Sequence, residues 1–267
     1  MTTAADILGF LETLAPVHRK MDWDNCGLLC GRKDKQIRRV LIALDPFEDT
    51  AREAVRLNAD LILTHHPLIF QPLYAVTEDS AVGRVLRTLI QNDICAVNAH
   101  TNLDIAPWGV NDVLARKLHL TDIEVIDPID TDADGNVWGL LRSGNVAEQP
   151  LEVFLAAVKK ALGTPVLRYC SAGTTVRRVA VGGGACADEY RAALRAGCDT
   201  FVTSDAKYND FWDAQDAGLN LIDAGHFYTE NPVCEFLRDQ IAQHFPEVEA
   251  IISREHTDCI RFFSYNS

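Results

Sequence analysis

The chain has 267 residues, 48% of them hydrophobic and 24% charged, with a formal net charge of −13. That length supports a sizeable core, in one large domain or two ordinary ones, and no apolar run approaches the ~20 residues of a membrane span. The acidic balance excludes a phosphate-binding surface spread over the whole molecule, because such surfaces need clustered Lys and Arg. Neither a nucleic-acid nor a membrane partner is therefore expected. The start, Met1-Thr2-Thr3-Ala4-Ala5-Asp6, has no basic region ahead of an apolar stretch, so a cytoplasmic protein with reduced cysteines is expected.

In chain order, Ile7 to Leu14 has helical spacing and stops at Pro16. Val40 to Leu44 reads as a buried strand, Thr50 to Leu57 as a helix and Leu61 to Leu63 as a strand. Val82 to Ile90 predicts a helix, Ile94 to Val97 a strand, Val110 to Leu118 a helix and Val137 to Leu141 a strand. The order then restarts. Leu151 to Leu162 is a helix, and Val166 to Tyr169 and Val179 to Val181 are strands. Glu189 to Ala196 is a helix, Thr200 to Thr203 a strand, Tyr208 to Ala217 a helix, Leu219 to Ile222 a strand and Val233 to Ile241 a helix. Cys259 to Phe263 is expected to close the chain as a strand. Alternating strands and helices predict α/β architecture.

Aligning 38–66 with 177–205 without a gap gives 9 identities in 29 positions, among them Arg38/Arg177, Asp60/Asp199 and Thr64/Thr203. Chance gives roughly two. Two similar α/β halves from an internal duplication are expected, 1–145 and 146–267. The boundary falls in the polar stretch Gly144 to Pro150, and a ligand site is expected at the junction of the halves.

Chemistry concentrates where strands end. Leu61-Ile62-Leu63-Thr64 runs into His65-His66-Pro67, and neutral imidazole is the commonest protein ligand for a transition metal. Its counterpart, Thr203-Ser204-Asp205, has no histidine. His100 with Asp104, and His226 with Glu230, repeat a His-x-x-x-carboxylate pattern after two further strands. Four histidines and two carboxylates suffice for two metals, and mixed imidazole–carboxylate ligation suits Zn, Fe, Mn or Ni. Adjacent residues on a regular strand face opposite ways, so His65 and His66 can act together only where the chain leaves the pleat. Gly182-Gly183-Gly184 reads as a close-packed turn, since it matches neither a dinucleotide fingerprint nor a P-loop.

Trp23-Asp24-Asn25-Cys26-Gly27-Leu28, Leu63-Thr64-His65-His66-Pro67-Leu68, His100-Thr101-Asn102-Leu103-Asp104 and Asp223-Ala224-Gly225-His226-Phe227-Tyr228-Thr229-Glu230 stand in the order of one family. The chain resembles the GTP cyclohydrolase I type two homologs, also called the Ngg-interacting-factor-three-like family, in its short form. The resemblance implies a homohexamer and a dinuclear metal site with ligands His65, His66, Asp104, His226 and Glu230, Glu230 bridging. His100 then becomes a near-site catalytic residue rather than a ligand. A metal-dependent hydrolase acting on a nucleotide or related small molecule is implied. The alternative is a non-catalytic metal carrier or regulatory scaffold. The chain departs from the family pattern at Ser204 and Asn209.

Overall fold

The computed structural model describes residues 1–263. Its first helix shows how local sequence sets an element. The Thr3 side chain accepts the Asp6 N–H while the Asp6 carboxylate accepts the Thr3 N–H at 2.8 Å, a reciprocal cap that starts α1 (Ala4–Leu14). Ala4, Ile7 and Leu11 then fall on its buried face. There follow β1 (Gly27–Cys30), β2 (Arg39–Ala43), α2 (Glu48–Arg56), β3 (Leu61–Thr64), α3 (Ala81–Gln91), β4 (Cys95–Asn98) and α4 (Thr101–Asp104). The middle of the chain holds α5 (Val110–Lys117), β5 (Thr121–Ile126), β6 (Asp130–Thr131), β7 (Val137–Trp138), β8 (Leu141–Gln149), α6 (Leu151–Leu162) and β9 (Arg168–Cys170). The remainder is β10 (Val176–Val181), α7 (Tyr190–Arg195), β11 (Thr200–Thr203), α8 (Tyr208–Asp216), β12 (Asn220–Asp223), α9 (His226–Glu230), α10 (Val233–His244) and β13 (Glu249–Ile252). Among the described residues, no helix is long and apolar enough to cross a membrane.

These elements form two units. The first comprises Met1–Leu103 and Val233–Thr257, the second Asp104–Pro232 and the segment beginning at Asp258. This differs from the expected halves, 1–145 and 146–267. The expected boundary lies inside β8, whose first four residues are buried while the rest become progressively exposed. A half-exposed strand end therefore reads as a linker. The chain also returns to the first unit near its end, because β13 completes that sheet.

The sheet of the first unit has the order β1-β4-β3-β2-β13, with β13, β2, β3 and β4 parallel and β1 antiparallel to β4. Leu41, Ile62 and Ala96 face a cluster with Ala51, Ala54, Val85, Leu86 and Leu89 of α2 and α3. Helix α10 packs on β2 and β13. The sheet of the second unit has the order β5-β8-β10-β11-β12-β9, its three central strands parallel. Alternate residues of those strands feed two cores. Ala180, Phe201 and Leu221 pack with Ala192, Ala193 and Ala214 of α7 and α8. Val179, Val181, Val202 and Ile222 pack with Leu114 of α5 and Phe154 and Val158 of α6. Parallel strands covered on both faces read as continuous apolar runs, which is why these were legible.

The sequence identities coincide with one local device present in both units. The Asp60 carboxylate accepts the N–H groups of Arg38 and Arg39 at 2.8 and 3.1 Å. Asp199 does the same for Arg177 and Arg178 at 3.0 and 2.9 Å. Each clamp ties the residue before one parallel strand to the entry of its neighbour.

The strand expected at Cys259–Phe263 is absent. Ile260, Phe262 and Phe263 are exposed, and the edge of β2 is taken by β13. The strand expected at Val137–Leu141 divides at Gly139, whose N–H goes to the Ile105 carbonyl. The acidic stretch 127–136 contains β6, which pairs with β7, and residues 132–136 make the turn between them. Asp132 organises it by accepting from Asn136, Trp138 and Asp134, and these bonds, led by the Asn136 side chain, bring its carboxyl down to about 2.

Candidate metal centre

In the first unit, the parallel strands deliver their carboxyl ends to the same edge, where α/β sheets place ligand chemistry. Just past β3, the Thr64 hydroxyl donates to the His66 carbonyl at 2.7 Å, and the His66 N–H donates to the Leu44 carbonyl at 3.0 Å. The chain thereby leaves the pleat, and the His65 and His66 rings come to 5.0 Å centroid separation instead of opposite faces. His100, just past β4, adds a third ring, 5.1 Å from His65 and 5.5 Å from His66. One ring nitrogen from each of the three lies within 4.8 Å of the others.

Each of these rings is held by its Nδ1. His65 meets the Ala99 carbonyl at 2.9 Å, His66 the Asp45 carboxylate at 2.7 Å and His100 the Asp24 carboxylate at 2.8 Å. These acceptors assign the proton to Nδ1 and leave the lone pair on Nε2, as in carboxylate–histidine–metal arrangements. Asp24 has 6% of its surface exposed. Burial opposes its charge, but hydrogen bonds from His100, Thr101 and Cys26 prevail and hold its carboxyl far below the ordinary carboxylate value. Burial and the same carboxylate push the Cys26 thiol up to about 12, far from the activated thiolate of a nucleophile.

The second unit brings together Asp104, His226 and Glu230. Residues 226 and 230 share one face of α9, and His226 Nε2 lies 3.0 Å from a Glu230 carboxylate oxygen. His226 Nδ1 bonds Asp205 at 2.8 Å, just past β11. The sequence marks Asp205 only as a position lacking a histidine, whereas in the structure it orients one. Carboxylate oxygens of Asp104 and Glu230 lie within 4.8 Å of each other. Burial, joined by the charges of these two carboxylates, drives the Cys186 thiol well above its ordinary value. Two carboxylates this close, with Glu230 buried, favour a cation or a shared proton. The second unit's donors, one imidazole tethered at Nδ1 and two close carboxylates, therefore fit a divalent transition ion.

The glycine turn after β10 shapes this group. The Gly182, Gly183 and Gly184 N–H groups go to Val202 O, Asn111 Oδ1 and Thr229 Oγ1. The turn is close-packed, with its N–H groups already engaged. Gly184 has φ +66°, and a Cβ there would lie 2.0 Å from Glu230 Oε1 and 3.3 Å from His226 Nε2. Gly184→Ala is expected to cost ~1–3 kcal/mol of stability through the left-handed backbone and this clash. Denaturant unfolding measures the loss, and a crystal structure should show the Glu230 side chain displaced.

Sequence reasoning missed four supporting residues: Asp24, Asp45, Asp205 and Asn111. Asn111 is fully buried on α5, donates to the Asp104 carbonyl at 3.1 Å and accepts the Gly183 N–H at 2.7 Å. It thus joins the segment carrying Asp104 to the turn under Glu230. Asp45 and Asp205 each lie two residues beyond a parallel strand, a signal that could have drawn attention to both. Ser204 donates to the Gly184 carbonyl at 2.6 Å, which gives that family departure a packing role. Nothing in the structure explains Asn209.

The family model described as Duf34/NIF3 (NGG1p interacting factor 3) matches residues 2–259. A "GTP cyclohydrolase 1 type 2 homolog" of Clostridium perfringens is 35% identical over 262 residues, covering 96% of this chain and 98% of its own. One from Streptomyces coelicolor is 36% identical over 270 residues, covering 97% and 93%. Among solved structures, a Staphylococcus aureus hypothetical protein superposes with a TM-score of 0.90 at 28% identity, over 98% of this chain and 99% of its own.

Proposed function

Since the chain belongs to the Duf34/NIF3 family, we propose that it is a dinuclear metal-dependent hydrolase acting on a nucleotide or related small molecule. His65, His66, Asp104, His226 and Glu230 would hold the ions. The observation that carries this reading is the set of imidazoles, His65, His66 and His226, each fixed through Nδ1 by a carbonyl or carboxylate, together with the two close carboxylates of the second unit. Zn, Fe, Mn or Ni matches such donors. Bound ions would polarise a carbonyl or phosphoryl oxygen and acidify water.

The chain's own residues supply the rest. Asp45 and Asp205 keep His66 and His226 in one tautomer and one orientation. His100, held through Nδ1 by Asp24, takes the proton from the attacking water at Nε2 and returns it to the leaving group. The low-lying Asp24 carboxyl remains charged across this cycle and stabilises the imidazolium that forms.

The test is elemental analysis of the purified protein, followed by a hydrolysis panel of GTP and simple phosphoesters with Mn, Zn and Fe. Two ions per chain and turnover on the panel are expected. No transition metal on purification and no uptake on titration would sink the metal centre. Metal uptake with no turnover, but with transfer to an acceptor, would replace the hydrolase with a carrier.

A further inference from the structure

Within the first unit, two large aromatics stand out of the fold beside His100. Trp23 is 62% exposed and Phe70 45% exposed. Their rings meet edge to face at 5.8 Å, and each lies close to the His100 ring, at 6.2 and 6.3 Å. Neither serves the core. Side chains of this size can bury 150–250 Å² each, so leaving both half in water forfeits stabilisation that a purely structural role would collect.

The loops that carry them are nonetheless built firmly. Asn25 Nδ2 donates to the Ile69 carbonyl at 2.7 Å, which staples the Trp23 loop to the Phe70 loop. Buried Asn98, the last residue of β4, donates to the Asn25 carbonyl at 3.1 Å. Asp24, between Trp23 and Asn25, is the residue that holds His100. One short segment thus fixes the imidazole and the exposed indole in a single register.

We propose that Trp23 and Phe70 form a stacking subsite for a planar heteroaromatic ring, the base of the nucleotide whose hydrolysis the preceding reading assigns. The inference rests on that reading for the ligand's identity and on this aromatic pair for its place. Every nucleobase has a π-face, and stacking on an aromatic side chain contributes affinity without a hydrogen-bond code. A ring seated there brings its attached groups toward His100. A macromolecule stacked on the same rings would instead cap the three histidines. The chain's −13 charge also disfavours a nucleic-acid polymer as the occupant.

Calorimetric binding of guanosine 5′-monophosphate and of ribose 5-phosphate to the full chain tests this, with metal content measured on the same samples. Trp23→Ala is expected to weaken guanosine monophosphate binding by about tenfold or more. Trp23→Phe should restore most of that loss, Phe70→Ala should weaken binding similarly to Trp23→Ala, and ribose 5-phosphate should bind all variants alike. Equal guanosine monophosphate affinity in wild type and Trp23→Ala overturns the subsite. So does a wild type that binds the two ligands equally, or a Trp23→Ala chain that changes only its oligomeric state because a second copy covers this face. A chain that carries no metal on purification and takes none up on titration, yet binds the base through Trp23, would sink the hydrolase reading and leave the subsite standing. A two-metal chain indifferent to Trp23 would do the reverse.

Discussion

Glutamine in place of Glu230 is expected to reduce bound metal from two ions per chain to one or fewer and to abolish turnover. The Glu230 carboxylate is buried, 3.0 Å from His226 Nε2 and within 4.8 Å of an Asp104 oxygen. An amide fills the same volume but carries no charge, and its nitrogen cannot replace the second carboxylate oxygen as a metal donor. Loss of outer partners alone costs metal sites about 10–100-fold in affinity or activity, so loss of a ligand of the proposed centre should exceed ~100-fold. The apo-protein gives an internal control. Removing one of two neighbouring carboxylates relieves repulsion, so the metal-free variant should unfold at the same denaturant concentration as wild type or a higher one. A variant that keeps two ions and full turnover would remove Glu230 from the centre.

Arg142→Met is expected to destabilise the second unit by ~3–5 kcal/mol, the usual cost of stranding one partner of a buried ion pair. Arg142 is 1% exposed, and its Nε donates to Asp112 at 2.6 Å. Its other nitrogens donate to the Gly139 and Ala106 carbonyls at 2.6 and 2.9 Å. Methionine replaces the volume and leaves the Asp112 carboxylate and both carbonyls without these donors. At ~2–4 °C per kcal/mol for a domain of this size, the melting temperature falls by about 10 °C. Adding Asp112→Asn should recover part of the loss, because the stranded group is then neutral. Asp112 adjoins Asn111 on α5, so the same substitution should also weaken metal uptake without touching a ligand. Urea unfolding of the two single variants and the double variant measures the coupling, and a loss under ~1 kcal/mol would show the pair to be dispensable.

The strands that could be read were those whose faces are both buried. Val179 to Val181, Thr200 to Thr203 and Leu61 to Leu63 appear where their apolar runs predict them. Missed strands have other chemistry. Thr121–Ile126 alternates charged and apolar residues on an edge, and Gly27–Cys30 is four residues bounded by a motif loop. Glu249–Ile252 is a short edge strand on β2, whereas the apolar run at Cys259–Phe263 forms no strand. The histidine groupings could be anticipated because each follows a strand end. Their orienting acids could not, because Asp24 lies 76 residues from His100, and Asp45 and Asp205 lie 21 residues from His66 and His226. Such pairs are made by topology, and residue spacing along one chain carries little trace of them.

The late return of β13 to β2 has a consequence for biosynthesis. The ribosome releases β2, β3 and β4 early, yet the strand that covers the outer edge of β2 begins only at Glu249. Until then the nascent first sheet presents a row of unpaired backbone groups, the template on which other chains can pair. The main body of the second unit, Asp104–Pro232, is synthesised within that interval. A stalled or truncated product ending before Glu249 would carry this open edge permanently, and the cell's chaperones and proteases would meet it as an aggregation-prone fragment.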